Sequence, residues 1–226
     1  MCGKFTAMAS WGEVVAFSQP LTREEMKESD NDRVLTLRVM DNLPVIIWDK
    51  DAQQRRVVAM RWGYPDLRNW KVPKPIHARS EGIETTRAFA SAFRAGQRGI
   101  VIVRTFNEAP DISGPTIQHT IMPGDVGALG IAFVWDQFDL AALPGTLRAC
   151  VMVTVPANQL IATLPTDRMP AVLADEDWEM WLHGTPDEAK ACLKTVEGVR
   201  WAMTKEERAA TTKRRKPTIS DPTGLF

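Results

Sequence analysis

The sequence predicts an α+β fold. Strand-like runs outnumber the helical ones, and the two kinds of segment follow each other without the regular strand–helix–strand alternation of a parallel α/β sheet. The chain has 226 residues, 44% of them hydrophobic and 25% charged, enough for a sizeable core in one large domain without disulfides or metals.

The first segments are two short helices. Ser10 is a cap for one carrying Trp11, Val14, Val15 and Phe17, and Thr22 to Glu25 has capping-box spacing for the other. Strands follow over Arg33–Val39, Pro44–Trp48 and Arg56–Trp62, the last two joined by a hairpin turn over Lys50–Gln54. Residues 64–77 hold three prolines and read as a loop leading to His77-Ala78-Arg79. A helix opens at Thr85 or Thr86, carries Ala90 and Phe93, and stops at Gly96. Four more strands are expected over Arg98–Phe106, Thr116–Met122, Gly130–Trp135 and Arg148–Val155, then a helical turn over Ala157–Leu164. One late helix carries Trp178, Trp181 and Leu182. The next opens with Thr185-Pro186-Asp187-Glu188, which combines a cap, a first-turn proline and a capping box. Residues 1–204 form one domain, and the polar, basic stretch 205–226, with Lys213-Arg214-Arg215-Lys216, reads as a loosely held tail.

Charge and cysteine usage narrow the function classes. The 28 basic and 28 acidic side chains cancel, so any nucleic-acid surface must come from clustering rather than from excess charge. Three cysteines (Cys2, Cys150, Cys192) at wide spacing form neither a disulfide framework nor a zinc pattern, which fits a reduced compartment. His119 and His183 have no neighbours suggesting a metal, so none is expected. No apolar run approaches the ~20 residues of a membrane span, and the N-terminus lacks a secretory layout. A cytoplasmic protein without membrane contact is expected.

The chemistry concentrates at the start of the chain. With Met1 removed, Cys2 carries a free amine beside a thiol. An aldehyde condenses with the amine to an imine, and the thiol closes a five-membered thiazolidine. An internal cysteine cannot do this. The plain alternative is an ordinary residue at a frayed end.

Six segments in order bear on that choice. Met1-Cys2-Gly3-Lys4-Phe5 is similar to the Met-Cys-Gly-Arg-Phe opening of the SRAP family, bacterial and phage proteins that capture abasic sites in single-stranded DNA. Arg61-Trp62-Gly63-Tyr64 resembles the family's Trp-Gly segment, and Pro75-Ile76-His77-Ala78-Arg79-Ser80-Glu81 its Asn-Ala-Arg-(Ser/Val)-Glu motif. Glu108 falls ten residues after Arg98, where the family places a glutamate. Thr154-Val155-Pro156-Ala157-Asn158 and Asp167-Arg168-Met169-Pro170 resemble its Thr-Pro-Ala-Asn and His-Asp-Arg-Met-Pro segments.

The resemblance implies a barrel-like, mostly antiparallel sheet with surrounding helices, and a groove for single-stranded DNA bearing abasic sites. It also implies a covalent link through Cys2 in a monomer with no small-molecule cofactor, nucleoid-associated when bound to DNA. Glu108 then moves protons or holds the terminal amine. Lys4 and Arg79 contact phosphates, Glu81 orients Arg79 or binds the Cys2 amine, and Arg168 lines the groove. Trp62 stacks on bases beside the lesion. Each has a plain alternative: a solvated surface charge, or for Trp62 a core side chain.

The sequence departs from the family at four places: His77 for its asparagine, Thr166 for the histidine before Asp-Arg, Arg104-Thr105 for Asp-Gly, and the Arg38 region for an Asn-x-x-Pro segment. A threonine hydroxyl cannot titrate near neutral pH, so either the imidazole has moved to His77 or the site has decayed. Two other functions stay open. One is a binder of single-stranded or damaged DNA without covalent chemistry, and the other is a self-processing cysteine peptidase.

Overall fold

The computed structural model describes residues 4–7, 35–108, 117–124, 128–197 and 201–207. The two helices expected before residue 35, and most of the 205–226 tail, lie outside the described residues.

A closed mixed barrel forms the centre. Its staves are β3 (Asn42–Asp49), β4 (Gln54–Trp62), β6 (Arg98–Val103), β9 (Leu129–Asp139) and β10 (Thr146–Pro156). They run in the order β10–β4–β3–β6–β9, and β9 pairs back with β10 to close the ring. Only β10 on β4 is parallel, with Cys150 opposite Trp62; the other pairings are antiparallel. The strand β10 explains why closure works. Ala149 to Val155 is an unbroken buried run, so both faces are covered and both edges are free to pair. Two short strands, β5 (His77–Arg79) and β11 (Arg168–Pro170), add to its far end, and β12 (Val172–Leu173) adds to β9.

A second, fully antiparallel sheet has the order β13–β8–β7–β1–β2, from β1 (Lys4–Ala7), β2 (Leu35–Arg38), β7 (Thr105–Glu108), β8 (Ile117–Pro123) and β13 (Trp201–Glu207). The sequence reads Arg98–Phe106 as one strand, but the chain breaks at Arg104 and passes from the barrel into this sheet. Strand β13 also runs three residues into the stretch expected to be tail, because it pairs with β8 along its whole length.

The β3–β4 hairpin turns where expected. Asp49 accepts from the backbone N–H of Asp51 and Ala52 at 3.0 Å each and from Arg56 Nη1 at 2.7 Å. The Arg56 hydrogen bond and those backbone N–H groups hold its carboxyl below the usual range. The expected helix from Thr85 starts later, as α1 (Ala90–Arg94), with turns before it. Gly63 has φ of +105°, and a Cβ there would lie 2.5 Å from Pro73 Cβ, so only glycine fits this exit from β4.

Helices α2 (Trp178–His183) and α3 (Pro186–Ala191) cap one side of the barrel. Helix α3 has the predicted capping box, with Thr185 and Glu188 bonded reciprocally. Arg98, 2% exposed, donates to the carbonyls of Gly184 and Thr185 between them. Its guanidinium lies 5.5 Å from the Phe93 ring and 6.0 Å from the Trp181 ring, and burial pushes its pKa down to about 10. Cys150 and Cys192 are core side chains, and burial pushes both thiols up. No helix among the described residues is long and apolar enough to cross a membrane.

Candidate functional site

The sequence-predicted residues fall into two groups. The first lies on the β1–β7–β8 sheet. Lys4 opens β1 opposite Asn107, and Glu108, the next residue, ends β7 opposite His119 of β8. Glu108 is 1% exposed and Asn107 is 4% exposed. Asn107 donates from Nδ2 to Thr120 Oγ1 at 2.7 Å, which welds β7 to β8 beside the carboxyl. Cys2 itself lies outside the described residues. It precedes Lys4 by two positions in the chain.

The second group gathers on β10. His77, half-buried, is opposite Met152, and Arg79, exposed, is opposite Thr154. Thr154 also faces Pro170 of β11 on its other side. Arg168 reaches across this strand. Its Nη1 donates to Glu81 Oε1 at 2.6 Å and its Nη2 to Glu81 Oε2 at 2.9 Å, a bidentate fork. Nη2 also donates to the Thr154 carbonyl at 2.6 Å. One guanidinium thus ties the Ala-Arg-Ser-Glu and Asp-Arg-Met-Pro segments to the strand between them.

Four expectations change. Trp62 is 0% exposed, sits edge-on to Phe133 at 6.3 Å and donates from Nε1 to the Ile76 carbonyl at 3.2 Å. A ring with no open face cannot stack on a base, so Trp62 is core. Glu81 orients Arg168 rather than Arg79, because the β10 register leaves Arg79 at the exposed side. Arg168, expected to line the groove, is 6% exposed and braces the Glu81 and Thr154 segments together. Thr166 exchanges hydrogen bonds with the Arg168 backbone, donating from Oγ1 to its carbonyl at 3.3 Å and accepting from its N–H at 3.4 Å. It shapes the turn into β11.

The brace has a pH signature. The Arg168 hydrogen bonds hold the Glu81 carboxyl below its ordinary 4.5. A depressed carboxyl contributes its stability in full above about the ordinary value and loses it as pH falls through the lower folded value. Thermal melts of the parent and of Glu81→Gln are therefore expected to differ above pH about 5 and to converge in stronger acid. The gap is expected to be modest because half of the Glu81 side chain is in solvent.

Sequence reasoning missed three partners: Thr154 as acceptor, Thr120 behind Asn107, and His119 beside Glu108. Alternation within the expected Thr116–Met122 strand puts His119 on the Ile121 face. The register onto Glu108 needs the pairing itself. Among the described residues no group of three or more His, Cys, Asp or Glu side chains is placed to hold a metal.

Comparison with known proteins bears on the family and the fold. The chain is 25% identical over 188 residues to the abasic site processing protein YobE of Bacillus subtilis, covering 81% of this chain and 82% of that protein. It is 24% identical over 204 residues to the abasic site processing protein YoqW, found in Bacillus subtilis and in Bacillus phage SPbeta, covering 87% and 88%. A crystal structure of a Bacteroides thetaiotaomicron protein superposes with a TM-score of 0.75 at 20% identity, over 90% of this chain and 91% of that one. A Bordetella bronchiseptica protein superposes at 0.73 and 19% identity, over 92% of this chain and 100% of that one. These two likenesses carry the fold alone. The family described as SOS response associated peptidase (SRAP) matches residues 1–209, so this chain, with its barrel and second sheet, belongs to the SRAP family.

Proposed function

We propose that this protein recognises abasic sites in single-stranded DNA and captures them covalently through Cys2 once Met1 is removed. The observation that supports the reading is the β1–β7 register, in which Lys4, two residues after Cys2 in the chain, pairs with Asn107 next to the buried Glu108. The names of the Bacillus relatives, abasic site processing proteins, support the same substrate.

The chemistry balances with Glu108 as the proton carrier. Its carboxylate takes a proton from the Cys2 ammonium, and the freed amine adds to the C1 aldehyde of the ring-opened sugar, giving a carbinolamine. Glu108 returns that proton to the carbinolamine hydroxyl, the C–O bond breaks and water leaves, forming an iminium. The thiol adds to the iminium carbon, its proton goes to Glu108, and the thiazolidine closes. His77 serves the earlier step, protonating the sugar ring oxygen as its bond to C1 breaks and taking up the C1 hydroxyl proton as the aldehyde forms, and Arg79 and Lys4 hold the flanking phosphates. Removal of His77 (His77→Ala) is expected to slow adduct formation about hundredfold or more with DNA binding retained.

A non-covalent binder of damaged DNA is the second reading, favoured by Thr166, whose hydroxyl is committed to a turn. Intact mass separates the two. Correctly trimmed protein gains the mass of an abasic oligonucleotide less one water if it crosslinks. It keeps its own mass while still shifting the DNA on a native gel if it only binds.

A further inference from the structure

We propose that His119 is a positioning residue for this chemistry, exchanging with Glu108 the proton that Glu108 carries; this rests on the covalent capture proposed above. The two residues are opposite one another across the β7–β8 ladder. Directly paired residues project from the same face with Cβ atoms about 5 Å apart. The same parity sends Phe106 and Ile121, paired two residues along, into the core at 0% exposure, which fixes the face that Glu108 and His119 share.

His119 is half-buried, and its Nδ1 is shut off from solvent with no hydrogen-bond partner among the described residues. A shielded ring nitrogen without a partner is costly unless something transient meets it. From the other side β13 brings Lys205 opposite His119. One row across three strands therefore reads carboxylate, imidazole, ammonium. The remaining described histidines are elsewhere: His77 on β5, and His183 bonded to Glu179 at 2.5 Å and tilted against the Trp48 ring at 4.3 Å.

The arrangement suits a carrier that must change form between steps. Glu108 is needed as a base at the ammonium, as an acid at the leaving hydroxyl, and as a base again at the thiol. His119 holds the proton after the first transfer and gives it back for the second, so no proton is gained or lost beyond those already counted.

The test is crosslinking kinetics at varied excess of trimmed protein over an abasic single-stranded oligonucleotide. It yields a maximal rate for the covalent step and a half-saturating concentration for binding. His119→Gln is expected to lower the maximal rate about tenfold to hundredfold and leave half-saturation within about twofold. The double variant with Glu108→Gln is expected to be no slower than Glu108→Gln alone, because His119 acts only through that carboxyl. Circular dichroism checks folding, and His119→Asn replaces His119→Gln if the glutamine disturbs the strand. A parent-like maximal rate in a folded variant, or losses that multiply in the double variant, overturns the role of His119 alone. If the parent forms no adduct, the covalent reading falls, and the role of His119 with it.

Discussion

Serine in place of Cys2 is expected to abolish the covalent adduct while leaving non-covalent DNA binding within about twofold. The amine survives in Cys2→Ser, so an imine can still form. It has no thiol to trap it and reverts by hydrolysis. Borohydride is expected to recover the lost product, because it reduces the imine to a stable secondary amine. A chain that retains Met1 keeps the Cys2 thiol but loses the free amine beside it. The amine then belongs to methionine, so no thiazolidine closes, and any product that borohydride traps is an imine of the methionine amine. Denaturing gels of the trimmed parent, the trimmed serine variant and the untrimmed parent, each with and without borohydride, read all of these outcomes. An adduct of undiminished yield and stability in the serine variant would eliminate the thiazolidine.

The largest loss of stability is expected from Trp181→Ala. Trp181 is 0% exposed, donates from Nε1 to the Gly99 carbonyl at 2.9 Å and packs 6.1 Å from Phe93. Truncating a buried tryptophan costs about 3–5 kcal/mol from lost transfer energy and the cavity left behind. A second cost follows here, because the Arg98 guanidinium loses one of the two rings that shelter it. Urea titration is the measurement, with the midpoint falling and the slope unchanged. Trp181→Phe keeps most of the volume and is expected to lose much less.

Much of the fold was legible because the barrel staves are apolar, flanked by turn residues, and long enough to declare themselves. The Asp49–Gln54 turn and the Thr185 capping box rest on local hydrogen bonds, which sequence spacing encodes directly. What stayed hidden was long-range. Nothing near Arg104 signals that the chain changes sheets there, since strand propensity continues through Phe106. The late start of α1 at Ala90 is a tertiary preference over two capable threonine caps. At the site, the residue types were readable but their pairings were not. Glu81 with Arg168 spans 87 positions, and only the insertion of β10 between β5 and β11 makes them partners. The fate of Trp62 was a question of burial, which a tryptophan beside a glycine does not reveal.

The crossing at Arg104 makes the segment from Arg98 to Glu108 a molecular ruler. Side chains alternate faces along a strand, so an insertion or deletion of one residue here would rotate the glutamate out to the opposite surface. Phe106 guards that phase, because the same slip would expel an aromatic ring from the interior. Length variation among relatives should therefore collect beyond Glu108, where β7 has already delivered its carboxyl, and be scarce within the eleven positions that measure out its place.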